Sequence, residues 1–220
     1  MHDGFWNWLT RTDAGLLVRV AAGGLFFLTL GIWDLARHGR SGKRWREYLF
    51  LLAAVAAAML YGIINDQITV SISWEYFFYG KELAADYSTT SPPEMLWLRW
   101  EAAKIGLKAT WTAGLLIGVA VLFANNPRPN RPQLPYRRIY GMIPAVFAFA
   151  AVTAVVLGLA GYFGVFAAFF REIVSEDLWR PGHFMAVWGA HLGGYIGGGL
   201  GTAWAVWRIL VLRNASGRQP

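Results

Sequence analysis

The chain predicts an all-α fold: a polytopic membrane bundle of five transmembrane helices. Three observations carry this. Of 220 residues, 56% are hydrophobic and only 15% are charged, against about 25% charged in soluble domains. The apolar residues fall in blocks of about 20 or more, the length that crosses a hydrocarbon core of roughly 30 Å. The Lys and Arg behind the net charge of +7 sit in short segments flanking those blocks, where such charge orients a membrane protein. That placement makes the lipid bilayer the expected partner and argues against nucleic acid. Cysteine is absent, which excludes disulfides and thiolate metal sites. The whole of 1–220 reads as a single integral membrane domain.

Span one covers about 14–36, with Thr12 or Asp13 as its N-cap. Ahead of it, MHDGFWNWL carries an acid before any base, so no cleavable signal peptide is expected. Its Trp and Phe suit the membrane interface. Span two covers about 44–65. Beyond it, Ile68, Thr69, Val70, Ser71 and Ile72 alternate strictly, which predicts an extended segment across the helix ends. Ser73 is placed to cap a short interfacial helix, WEYFFYG, with its aromatics in the headgroup layer. Span three covers about 92–124 and starts at SPPE. Ser91 can cap it, Pro92 suits the first turn, and Glu94 completes a capping box. Span four covers about 135–170, with Pro144 as a kink. Span five covers about 181–212.

The links set the orientation. Arg37, Arg40, Lys43, Arg44 and Arg46 join spans one and two, and Arg128, Arg131, Arg137 and Arg138 join spans three and four. Arg213 and Arg218 lie in the tail, while the link after span two is acidic, with Glu75, Glu82, Asp86 and Glu94. The positive-inside rule then puts the N-terminus outside and the C-terminus in the cytoplasm.

Span five contains Gly189, Gly193, Gly197 and Gly201, one every four residues. Such a ridge of small residues lets another helix approach closely. Gly158, Gly161 and Gly164 of span four offer a matching surface. A second copy or a membrane-protein partner could use the same ridge.

Ionisable residues within spans are costly and point to function. Here they gather towards the outer side: Arg19, Asp66, Glu101, Lys104, Lys108, His183 and His191. Glu101, Lys104, Lys108 and Trp111 share one helical face. The two lysines need counter-charge, for which Asp66, Glu75 and Glu101 are the candidates. Asp66 in turn ends a helix, where the dipole disfavours an acid, so it should answer Arg19, Lys104 or Lys108. His191, with Tyr195 one turn on, reads as a bonded imidazole, a proton relay or a metal ligand. His183 and His191 are not an i, i+4 metal pair. A carboxylate-rich metal site would combine His191 or His183 with Asp66, Glu75 or Glu101. No second deep histidine exists for bis-His haem, and no cofactor is identified. Phosphate-loop, dinucleotide-binding, HExxH and nucleophile-elbow motifs are all absent.

Three segments, NDQITVSISWEYF, KATWTAGLLIG and HLGGYIGGGLG, together resemble a family of small multi-pass bacterial inner-membrane proteins. Members carry a DQ-x-S-x-EYF type of segment outside span two, a Trp-bearing third span and His-x-x-x-Tyr-x-Gly in the last span. The resemblance implies a place in the bacterial inner membrane and no particular activity. It directs attention to Asp66, Gln67, Glu75, Tyr76, Phe77, His191 and Tyr195.

Three function classes stay open. An accessory, scaffold or assembly component fits the small size and the glycine ridge. Transport of an ion or small solute would use the outer polar cluster. An enzyme or cofactor-binding protein at the outer face would use Tyr76 or His191 for acid–base work and Asp66 or Glu75 to orient them.

Overall fold

A computed structural model of the chain describes residues 12–86, 94–129, 131–166 and 178–216. They form α1 (Asp13–His38), α2 (Arg44–Ile72), the short α3 (Trp74–Phe78), α4 (Met95–Ala124), the short α5 (Tyr136–Tyr140), α6 (Met142–Tyr162) and α7 (Pro181–Ser216), with no strand among the described residues. Five segments are long and apolar enough to cross a membrane: Asp13–Ser41, Arg44–Ile72, Met95–Ala124, Tyr136–Tyr162 and Pro181–Ala215. The chain is a multi-pass membrane protein. Its long helices alternate in direction, so the bundle has two ends. The first holds the start of α1, the α2–α4 link and the start of α7. The second holds the three basic segments.

Local chemistry sets each boundary. Thr12 Oγ accepts from the Gly15 amide at 3.0 Å and caps α1. At the far end Asp34 accepts from His38 Nδ1 at 3.0 Å and from the Trp45 amide at 2.9 Å. One carboxylate thus closes α1 and accepts from an amide at the start of α2, where helix N–H groups lack partners. α4 begins after Glu94; Ser91 and Pro92 of the expected capping box lie outside the described residues.

Three expectations are corrected. The segment 68–72 is not extended: α2 continues to Ile72. Its 29 residues give about 43 Å at 1.5 Å per residue, longer than the hydrocarbon core. Thr69 Oγ donates to the Asn65 carbonyl and Ser71 Oγ to the Gln67 carbonyl, each at 2.9 Å. Arg99 of α4 donates to Ser71 Oγ at 2.9 Å, while Gln67 Nε2 donates to the Arg99 carbonyl at 2.8 Å. The alternation is real as a pattern, but a neighbouring helix and local hydroxyl bonds outweigh β-propensity.

Secondly, Ser73 does cap the short α3, accepting from the Tyr76 amide. Its aromatics, however, turn inwards: Tyr76, Phe77 and Phe78 are all buried in the protein. Thirdly, span four breaks at Gly141 rather than kinking at Pro144. Pro144 has no N–H for the Tyr140 carbonyl and tolerates only a first-turn place, so α6 restarts just before it. α6 then stops at Tyr162, short of 170. Val165 N–H bonds the Ala160 carbonyl and Gly164 N–H the Gly161 carbonyl, around Gly164 at φ +78°. That is a Schellman stop, so Gly164 terminates the helix instead of extending its small-residue face.

The long helices pack as two close pairs, α2 with α4 and α6 with α7, with α1 laid on α2. In lipid no hydrophobic force drives helices together, so close van der Waals fit must do it. A Cβ on Gly189, Gly193 or Gly197 would collide with α6 backbone at Leu157, Thr153 or Phe149, and one on Gly201 would press on Val146. α6 of the same chain therefore occupies the ridge. α2 and α4 meet the same way: a Cβ on Gly62 or Gly106 would strike the other's backbone, and Gly114 and Gly118 lie on Val55, Ala58 and Leu51.

Apolar clusters tie the pairs together near both ends. One gathers Val70, Phe77, Leu98 and Val187; the other gathers Phe50, Val121, Ile139, Val146 and Ile209. At the basic end Arg213, only 1% exposed, donates to the carbonyls of Ala124, Asn126, Arg131 and Pro132. Asn125 clips the same link, accepting from Leu134 N and donating to Leu134 O.

Candidate functional site

Between the clusters the pairs stand apart. A groove of about 510 Å³ runs between α2 and α4 on one side and α6 and α7 on the other. Small residues make the room: Ala58, Ala109, Ala113 and Ala120 on one wall, Gly194, Gly198 and Gly199 on the other. A Cβ on Gly198 or Gly199 would meet nothing within 4 Å. Thr110 and Thr202 also face the groove, but both hydroxyls donate to their own helices, at Gly106 O and Gly198 O. Most of the groove is therefore apolar.

Its end nearest α3 is not. Tyr61, Asn65, Asp66, Lys81, His191 and Tyr195 line it. α2 carries Asp66 on the stripe Ala54, Ala58, Gly62 that faces α4 and α7. α7 carries His191 midway between Gly189 and Gly193, both of which lie against the α6 backbone. The two side chains meet with His191 Nε2 at 3.1 Å from Asp66 Oδ1. Asp66 is 3% exposed. Asn65 Nδ2 donates to the same oxygen at 3.1 Å. Tyr76 stacks on the imidazole at 4.9 Å and 27°, and Phe77 meets it edge-on at 5.9 Å. Lys81 Nζ lies 5.4 Å from the Tyr76 ring centre. Burial pushes the Tyr76 phenol well above the usual tyrosine range, and the Tyr195 phenol and Asp66 push it further the same way.

Both ring nitrogens of His191 face oxygens: Nδ1 lies 2.9 Å from the Val187 carbonyl, and Nε2 faces Asp66. A carbonyl only accepts, and an imidazole and a carboxyl can share one hydrogen bond. The pair is a hydrogen-bonded acid–imidazole couple on the wall of an apolar groove.

Tyr61 completes this end. Its ring stacks on Phe147 at 5.2 Å and 22°. Its hydroxyl is buried and has no hydrogen-bond partner, although it lies beside the groove. Buried polar groups almost always have partners, so this hydroxyl is an exception at the polar end of the groove.

The sequence-predicted residues divide. Asp66, His191 and Tyr195 line the groove, and Tyr76 backs His191. Gln67 instead bonds Arg99. Glu75, 2% exposed, accepts from the amides of Trp179 and Arg180 at 2.7 and 3.2 Å, so it anchors the start of α7. Glu101, Lys104 and Lys108 lie away from the groove. Lys104 pairs with Glu101 at 2.7 Å and Asp13 at 3.6 Å, and Lys108 pairs with Asp13. The expected pairing of Asp66 with Arg19, Lys104 or Lys108 is thus replaced by Asp66–His191. His183 packs edge-on against Tyr162 at 5.4 Å. No group of three or more His, Asp or Glu able to hold a metal occurs among the described residues; of His183, His191, Asp66 and Glu75, it is Asp66 and His191 that meet.

Residues that sequence reasoning passed over are Tyr61, Asn65, Lys81, Asp13 and Arg99. Tyr61 and Asn65 lie four apart, with Asn65 directly before Asp66, and that spacing was the available signal. Lys81 had none, since it reaches the groove from an irregular link. No protein-family model, curated protein or solved structure matches the chain.

Proposed function

We propose that the protein binds an amphipathic molecule from the lipid phase in the groove between the two helix pairs. The apolar part lies along the Ala and Gly walls. The polar head, bearing at least one oxygen, meets Tyr61, Lys81 and the Asp66–His191 pair. The observation that carries this reading is the shape and lining of the groove: apolar walls that end in one polar patch of Tyr61, Asn65, Asp66, Lys81 and His191. A scaffold role alone would leave that patch without a task. For transport of an ion, the far half of the groove supplies Ala, Gly, Leu, Ile, Phe and internally bonded Thr. At the head, His191 is the acid–base group, Asp66 orients it, and Tyr76 excludes water from its face.

The basic links support an orientation with the α3 end outside a bacterial inner membrane and the C-terminus in the cytoplasm. Membership of the small inner-membrane family that the Asp66–Phe77 and His191–Gly197 segments resemble belongs to the same proposal. So does a packing role for the Gly189, Gly193, Gly197 and Gly201 ridge.

The test uses protein purified in mild detergent and mass spectrometry of the lipids it retains. The native chain should retain an amphiphile that Gly198→Phe, which fills the groove, does not. Identical retained lipids in both proteins would overturn the reading.

A further inference from the structure

A second groove, of about 450 Å³, lies on the opposite side of α2, between α1, α2 and α4. Its walls are apolar, including Phe27, Leu60, Ile63 and Trp111, and its one charged residue is Arg19. Gly23 and Gly24 form its floor on α1, and a Cβ on either would meet nothing within 4 Å. Arg19, Gly23 and Phe27 follow one another at four-residue spacing, so cation and trough share one face of α1. No carboxylate pairs with Arg19 among the described residues, whereas the nearby Lys104 and Lys108 both have acidic partners.

An unpaired guanidinium within a span is costly. Arg19 stands six residues into α1, about 9 Å from its start, and so lies towards one end of the span. Guanidinium binds phosphate with two parallel hydrogen bonds. From that anchor the trough leads deeper along α1, past Gly23 and Gly24 to Phe27, the course an acyl chain would take.

We propose that this groove is a binding site for one anionic phospholipid, its phosphate on Arg19 and one acyl chain over Gly23 and Gly24. The site is independent of the Asp66–His191 groove. It also gives α1 a lipid-mediated attachment to α2 and α4, since α1 is the least buried of the spans.

Native mass spectrometry of the full chain, titrated with phosphatidylglycerol or with phosphatidylcholine of the same chains, tests this. The native protein should bind one phosphatidylglycerol more tightly than phosphatidylcholine. Arg19→Gln should abolish that preference, weakening phosphatidylglycerol about tenfold, while Arg19→Lys retains part of it. Gly23→Leu, which fills the trough without touching the cation, should weaken both lipids. Equal binding of the two lipids by the native protein, or an undiminished preference in Arg19→Gln, would overturn the proposal. So would displacement of phosphatidylglycerol by millimolar inorganic phosphate, because a chain in the trough should outcompete a free anion.

Discussion

Asp66 and His191 lie 125 positions apart in sequence, and their other bonds, to Asn65 and to the Val187 carbonyl, are local. The hydrogen bond between them couples two distant helices. Asp66→Ala leaves His191 Nε2 facing an empty site and should destabilise the protein by about 1–3 kcal/mol. Asp66→Asn keeps a hydrogen bond to a neutral ring and should cost less. In thermal unfolding, Asp66→Ala combined with His191→Phe should be less damaging than the sum of the two single changes. Additive effects would show that the pair is not a unit. Tyr76 adds a pH dependence of known sign. An unfolded tyrosine ionises near pH 10, and burial raises the folded value. The folded state then holds the proton longer. This contribution is complete below about pH 10 and is lost as pH rises from there through the folded value. Tyr76→Phe should therefore narrow the drop in melting temperature between about pH 8 and pH 10.5.

At the level of elements, glycines on one helix play opposed parts. Gly193 lies against the Thr153 backbone, while Gly198 has open space beside it. Gly193→Ala should push α6 and α7 apart and lower the melting temperature, and Gly198→Ala should leave it unchanged. Arg213 tests the other end. Truncation to Ala strips hydrogen bonds from four carbonyls and should cost on the order of 3 kcal/mol, read as a lowered melting temperature. The sequence made much of this architecture legible: five apolar blocks, the Thr12 and Ser73 caps, and the four-residue glycine period all have local causes. The end of α2 did not read correctly, because Ile68 to Ile72 satisfy a strand pattern and a helix pattern at once. The deciding signal lay further back, in Ala54, Ala58, Gly62, Asp66 and Val70, a four-residue stripe that runs straight through the supposed break. Arg99 and Gln67 then hold that last turn, and a contact between distant segments leaves no trace in either one alone. For the same reason His191 and Asp66 were legible as unusual residues but not as partners.

For the molecule as a whole, the two helix pairs touch closely near their ends and part in the middle. Glycine and alanine open the middle, and a polar end built on the Asp66–His191 pair closes it on one side. The central claim is that this space holds an amphiphile. Photo-crosslinking in membranes with palmitic acid that bears a mid-chain diazirine tests it most directly, with labelled residues mapped by mass spectrometry. Labels should fall on the groove walls, Ala109 to Ala120 of α4 and Gly194 to Thr202 of α7, and disappear in Gly198→Phe. Labels confined to outward-facing Val152, Val155 and Leu159 of α6, which are 54–63% exposed, or labelling unchanged by Gly198→Phe, would contradict it.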